Sequence, residues 1–237
     1  MDLEGEMEMK GNWQTWASEW GSVALGLVFP EVPVEVAGRE LRAPMCERCG
    51  EPFAGEADGA FECTNCRGRS WSLTRARAAY RAEGDVMEAI HRFKYQGEFH
   101  WLRHLREWLR EGYHRLYAED GPWDGLVPVP LYPLKKRERG FNQAEELARS
   151  LSRMTGIPVR NGLQRVRATR VQARLRRSER LKNQKGAFAL KSRFDPVGLR
   201  LLIIDDVFTT GATMDACASV LRRAGASEVC GLTVARG

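Results

Sequence analysis

The apolar positions of the chain follow two different rules. Up to about residue 120 they recur mostly at three- and four-residue spacing. Trp13, Trp16, Trp20 and Leu27 predict a helix over 12–29, whose polar face lacks the Lys and Arg of a membrane-surface anchor and which is therefore expected to dock on the rest of the protein. Three prolines within "FPEVPVEVAGRELRAP" break any helix that follows. "WSLTRARAAYRAEGD" alternates small and basic residues and predicts a strand or extended segment. Val86, Ala89, Ile90 and Phe93 mark a helix over 85–95 closed by Gly97, and Leu102, Leu105, Trp108, Leu109 and Leu116 mark another over 99–117.

Beyond the linker "EDGPWDG" at 119–125 the pattern changes. "GLVPVP" predicts a strand, and 142–152 a helix with Glu145 and Glu146 in its first turn and Gly156 past its end. "IPV", "GAFAL" and "GLRLLIID" read as further strands, 213–224 as a helix closed by Gly225, and "EVCGLTVA" as the last strand. Strands alternating with helices predict an α/β fold, a parallel sheet covered by helices on both faces. The chain thus divides into 1–45, a helix and Pro-rich segment; 46–72, a cysteine module; 73–120, an extended segment and helices; and 121–237, the α/β domain.

Charge adds a strong asymmetry. The 237-residue chain carries +6, but between Arg160 and Arg193 twelve Lys or Arg face the single acid Glu179, a local +11. Such a segment suits phosphate, pyrophosphate or nucleic acid, unless it is a solvated loop. The apolar run "VALGLVF" at 23–29 is too short to cross a bilayer, and the acidic start lacks the basic region of a secretory signal. The expectation is a cytoplasmic protein without membrane insertion.

Cys46-x2-Cys49 and Cys63-x2-Cys66 have the spacing of two knuckles that present four thiolates to a tetrahedral zinc ion. Structural disulfides fit a cytoplasmic chain poorly, and nothing near these cysteines resembles a thioredoxin site. With four protein ligands the zinc has no open position, so its role is structural. Cys217 and Cys230 fall inside a predicted helix and strand and read as buried, inert thiols. His100 and His104 lie one helical turn apart without a third ligand and read as packed or solvated histidines.

The stretch "LIIDDVFTTGAT" ends an apolar strand in Asp205 and Asp206. In open α/β sheets ligands bind beyond the carboxyl ends of strands, and two carboxylates there can accept hydrogen bonds from the vicinal diol of a ribose. Adjacent strand residues face opposite sides, so both acids reach one sugar only where the chain is already leaving the strand, as "VFTTG" suggests. Thr209, Thr210, Gly211 and Thr213 then supply hydroxyls and small side chains at the start of a helix, an anion cradle. A plain strand, turn and Thr213 N-cap would explain the threonine but not the paired acids. No two glycines are separated by one residue, which excludes G-x-G-x-x-G, and no P-loop is present.

"LLIIDDVFTTGAT" resembles the phosphoribosyl-pyrophosphate (PRPP) binding motif of type I phosphoribosyltransferases. That resemblance implies Asp205 and Asp206 on the ribose hydroxyls, Thr209 to Thr213 on the 5-phosphate, and the stretch from Val207 and Phe208 through Ala212 as the PRPP loop. "VPVPLYPLKKRERGFNQAEELA" stands where that family has its pyrophosphate loop, which makes Lys135, Lys136, Arg137 and Arg139 candidates for pyrophosphate. The basic segment stands where it has a flexible catalytic loop. Together with the four cysteines, "FKYQGE", "RERGFNQAEELA" and "RATRVQARLRRSERLKNQKGAF", the chain from about Cys46 onward resembles the ComF family of competence-related proteins. This implies a zinc-ribbon-like module fused to a type I phosphoribosyltransferase-like domain, and a link to incoming single-stranded DNA.

If PRPP binds, Mg²⁺ would be held mainly by the ligand's own oxygens. Loss of pyrophosphate would be assisted by Lys and Arg, Arg139 among them, with closure of the basic loop excluding water. An active phosphoribosyltransferase with an acceptor not legible here is one alternative; a non-catalytic binder is the other, with segment 160–193 on DNA phosphates and Trp71 or Tyr80 as stacking surfaces or, more simply, as packed core. A glutamine-dependent amidotransferase is unexpected, because no cysteine precedes Cys46.

Overall fold

The computed structural model describes residues 39–55, 61–168, 184 and 186–237. The helix expected over 12–29 and most of the basic segment lie outside these residues. The centre is a sheet of four parallel strands: β1 (Ala76–Arg81), β2 (Gly125–Pro128), β5 (Arg200–Phe208) and β6 (Glu228–Arg236), in the order β1-β6-β5-β2. Leu201, Leu202, Ile203 and Ile204 are all 0% exposed, so both faces of β5 are covered, as a continuous apolar run requires. Burying each such side chain contributes about 1.5–3 kcal/mol.

Around the sheet lie α1 (Gly84–His91), α2 (Trp101–Leu116), α3 (Pro133–Arg139), α4 (Gln143–Thr155) and α5 (Ala212–Arg223). On one face, α2 approaches β1 so closely that a Cβ on Gly112 would come 2.7 Å from Ala79 Cβ. The other face carries α5 and the four-cysteine module, whose buried residues form one apolar cluster with Leu201, Ile203 and Val229.

Several expectations shift. "WSLTRARAAYRAEGD" does more than leave the module: it supplies β1, the edge strand beside β6. "GAFAL" forms β4 (Phe188–Leu190), but it pairs antiparallel with β3 (Leu163–Arg165) in a separate two-stranded ribbon outside the main sheet. "IPV" contributes one parallel bridge, Leu126 with Val159. Helix α1 ends at His91 and continues as a π-helical turn, Arg92–Gln96, before Gly97 closes it at φ +68°. The run "PLKKRER", read as loop, is α3: Pro133 starts it and Gly140 ends it. None of its residues is buried, so no apolar period announced it. Asn142 caps α4 by accepting from Ala144 N–H at 3.2 Å, while its Nδ2 donates to Val129 O at 3.1 Å, which ties the helix start to the end of β2.

Candidate functional site

Asp205 and Asp206 lie inside β5, which continues to Phe208, and not beyond the strand end as expected. The pairing of β5 with β6 skips Asp206: its N–H donates to Asp205 Oδ1 at 3.0 Å. This local hydrogen bond turns one acid back toward the other, where departure from the strand had been expected to do so. Burial pushes the Asp205 carboxyl up to about 8, the Asp206 charge pushes the same way, and Lys94 opposes both. Burial and the neighbouring like charge thus both disfavour ionising Asp205.

Asp206 is 3% exposed, and Lys94 Nζ lies 2.6 Å from its Oδ2. Lys94 belongs to the π-helical turn Arg92–Gln96, which this ion pair ties to the acids of β5. In the sequence this lysine lies within "FKYQGE", where nothing marks its partner. The signal was present, a cation inside a family pattern, but only the fold shows which acid it meets. Arg165 of β3 stacks its guanidinium 5.2 Å from the Phe188 ring centroid and feels the Asp205 charge, while burial lowers its pKa. One cation of the basic segment is thus turned inward.

After Phe208 the loop runs through Thr209 and Thr210 to Gly211, which adopts φ +72° and caps α5. A Cβ at Gly211 would come 2.6 Å from Phe208 and 2.7 Å from Trp71, so both conformation and space call for glycine. The Thr210 hydroxyl oxygen accepts from Ala212 N–H at 3.4 Å. Thr213, considered as an N-cap, stands in the first turn instead. The loop and the start of α5 leave the carboxyl end of β5, where helix N–H groups favour an anion.

Lys135, Lys136 and Arg137 sit on the exposed α3 and Arg139 is half-buried. Lys136 Nζ is 3.2 Å from Glu145 Oε2, and Arg139 donates to Gln143 Oε1 at 2.5 Å. The Arg139 guanidinium lies 5.4 Å from the ring of Tyr95, the neighbour of Lys94, which brings α3 to the side of the π-helical turn. Tyr80 is 2% exposed and packs 5.7 Å from Trp108, so it belongs to the core. Trp71 is half-buried, with Arg69 stacked at 3.4 Å from its centroid. His104 packs against Trp101 and Trp108, and Cys217 and Cys230 are both 0% exposed with thiols pushed up by burial.

The Sγ atoms of Cys46, Cys49, Cys63 and Cys66 lie within 4.8 Å of one another and all four residues are buried. Tetrahedral ligation at ~2.3 Å separates sulfurs by ~3.8 Å, and Cys49 and Cys63 stand 3.6 Å apart. Gly50 turns the first knuckle at φ +66°. Burial pushes the Cys46 thiol up, but N–H groups of Cys49, Cys63 and Arg48 outweigh it and bring it down to about 7. Arg236 donates to Cys49 O at 2.8 Å and to its Sγ at 3.4 Å, a counter-charge suited to thiolates. The donor set fits a zinc ion, which would take all four sulfurs and no other ligand.

A parallel α/β sheet with a paired-acid strand and a Thr-Gly loop, carrying a four-thiol cluster on one face, defines the class: an α/β domain with a built-in four-cysteine module. The chain is 32% identical over 196 residues to competence protein F of Haemophilus influenzae, covering 78% of this chain and 82% of that one. It is 29% identical over 202 residues to competence protein ComFC of Bacillus subtilis, covering 84% and 80%, and 30% identical over 192 residues to DNA utilization protein YhgH of Salmonella typhimurium, covering 79% and 82%. The chain belongs to the ComF family of competence proteins. No family model matches it. Similar solved structures include a glutamine PRPP amidotransferase of B. subtilis complexed with ADP and GMP, at 21% identity and TM-score 0.36 over 55% of this chain and 25% of that one. UMP synthase of Leishmania donovani is similar at 18% identity and TM-score 0.33, over 61% and 24%. The family assignment rests on the relatives in sequence. Among the described residues no helix is long and apolar enough to cross a membrane.

Proposed function

We propose that this protein binds PRPP or ribose 5-phosphate with Mg²⁺ at the carboxyl end of β5 and serves in the handling of incoming single-stranded DNA. The observation that carries this reading is the convergence of Asp205, Asp206 and Lys94 beside a Thr-Gly loop that opens a helix. Asp205 and Asp206 take the ribose diol. With burial biasing Asp205 toward its protonated form, the pair repels the neighbouring phosphates less than two full charges would. Lys94 offsets the cost of burying the Asp206 charge. The loop from Val207 and Phe208 through Ala212 carries the 5-phosphate on Thr209, Thr210, Gly211 and Thr213. Arg139, with Lys135, Lys136 and Arg137 on α3, meets the pyrophosphate. Magnesium would be held mainly by the ligand's own oxygens and would offset the phosphate charge, which asks for few protein ligands. Zinc in the four-cysteine cluster is structural.

Calorimetric titration with PRPP and Mg²⁺ is expected to show binding that ribose 5-phosphate competes for and that Asp205→Asn with Asp206→Asn abolishes. No heat and no competition would refute the site. The DNA role draws on the names of the competence and DNA utilization relatives and on the +11 segment 160–193. Single-stranded DNA should bind at low salt and weaken steeply as salt rises, measured by fluorescence anisotropy. A flat salt response would count against it.

A further inference from the structure

The second knuckle of the four-cysteine cluster does not end in solvent. Arg69 N–H donates to Cys66 O at 3.0 Å, so Arg69 is the last residue of that knuckle. Its side chain reaches across to the phosphate loop. Arg69 Nη1 donates to Thr210 O at 2.8 Å, and Nη2 lies 3.3 Å from Asp215 Oδ2 in the first turn of α5. The other oxygen of Asp215 accepts from the N–H groups of Ser72 at 2.7 Å and Leu73 at 3.2 Å. The guanidinium stacks on Trp71, whose ring edge fills the space beside Gly211. Arg69 and Asp215 are 14% and 18% exposed, so this ion pair is far from a loose surface contact.

The other end of the loop is held from the first knuckle. Arg236, which donates to Cys49 O, lies 5.1 Å from the Phe208 ring centroid and donates to Glu51 Oε2 at 2.6 Å. The residues before and after the loop therefore both rest on groups whose positions depend on the four cysteines.

We infer that the four-cysteine module is a structural wall of the ribose-phosphate site, and that Arg69 is a positioning residue that sets the loop amides for an anion. The geometry is that of a planar trans peptide, in which C=O and N–H point in opposite directions. Holding the Thr210 carbonyl toward Arg69 turns the Gly211 N–H the other way and takes a carbonyl dipole out of the anion's approach. The planar fork of arginine allows Thr210 O and Asp215 to be bound together, which one ammonium group holds less firmly. Metal in the cluster fixes the knuckle, the knuckle fixes Arg69, and Arg69 fixes the loop. The inference rests on the proposed PRPP reading only for the identity of the ligand.

The test uses the full chain in two independent arms. Without ligand, hydrogen exchange of the amides of 208–216 should quicken about tenfold in Arg69→Ala, the loss expected for one charge-assisted hydrogen bond, and by at least as much after metal is stripped by a chelator from the unsubstituted chain. With ligand, ribose 5-phosphate should bind Arg69→Ala about tenfold more weakly in calorimetry, at unchanged metal content. Arg69→Lys should fall between the two and serves if Arg69→Ala does not fold. Unchanged exchange in both the variant and the metal-free chain would overturn the inference, whatever the ligand result. Absence of ribose 5-phosphate binding to the unsubstituted chain would instead overturn the ligand reading, and the exchange arm would still decide the wall.

Discussion

The four-cysteine cluster and the acid pair are both small groups of titratable side chains, but the chain assembles them over opposite ranges. Two C-x2-C knuckles stand close in sequence, with Cys49 and Cys63 only fourteen residues apart, so local turns suffice to gather the sulfurs. The acids are neighbours in β5, yet the lysine that balances them arrives from a helical turn before the second strand, and the loop beyond them is braced from the cysteine module. With a metal bound, each cysteine would depend on the other three through one ion. Each acid depends on several unrelated segments. The lesson is that the cysteine cluster concentrates its dependence at one point, whereas the acid pair spreads it over the fold.

Breaking the cluster should therefore have the largest effect. One zinc per chain is expected in protein purified without added metal, and none in Cys46→Ser, with the greatest fall in melting temperature of any single change considered. Zinc binding to small peptides of this type is worth on the order of 10 kcal/mol, and that free energy contributes directly to folding. A Cys46→Ser protein that keeps its metal and its melting temperature would erase the contrast.

Next comes Lys94→Met, which leaves a buried carboxylate without its counter-charge. Urea denaturation should show a loss of about 3–5 kcal/mol, largely recovered when Asp206→Asn is added. Additive losses in the double variant would mean that the two groups do not act as a pair.

The smallest effect is a gain. Asp205 titrates near 8 in the folded chain, above its unfolded value of about 4, so the folded state keeps a proton that the unfolded state gives up over this range. Its contribution to stability is thus fully present below about pH 4 and is lost as pH rises toward 8. Asp205→Asn cannot ionise and should flatten that slope, raising the melting temperature more at pH 8 than at pH 5. Equal shifts at both pH values would mean that Asp205 is ionised throughout.

Much of the architecture was legible from the chain alone where period and caps agreed. β5 and β6 are apolar runs, α4 has Asn142 before it and Gly156 after it, and α5 is closed by Gly225. Helix α3 was invisible because a helix with no buried residue has no apolar period, only a proline start and a glycine stop. The ribbon of β3 and β4 was hidden by its length of three residues a strand, and "GAFAL" looked like one more parallel strand. The cysteine cluster was legible from its spacing, and Asp205 and Asp206 stood out as paired charges in an apolar run. Lys94 and Arg69 were not assigned, since a lysine in "FKYQGE" and an arginine after a knuckle say nothing of their partners until the strand order is known.

That strand order has a consequence for how the chain is made. β6 is the last strand along the sequence, yet it lies between β1 and β5 and pairs with both. While synthesis proceeds, β5 can pair with β2, but β1 and the other edge of β5 wait for a partner that follows both. Sheets closed by such distant pairings fold slowly and expose apolar edges meanwhile. Segment 69–73, whose hydrogen-bond partner Asp215 lies in α5, is likewise fixed only after that distant helix has formed.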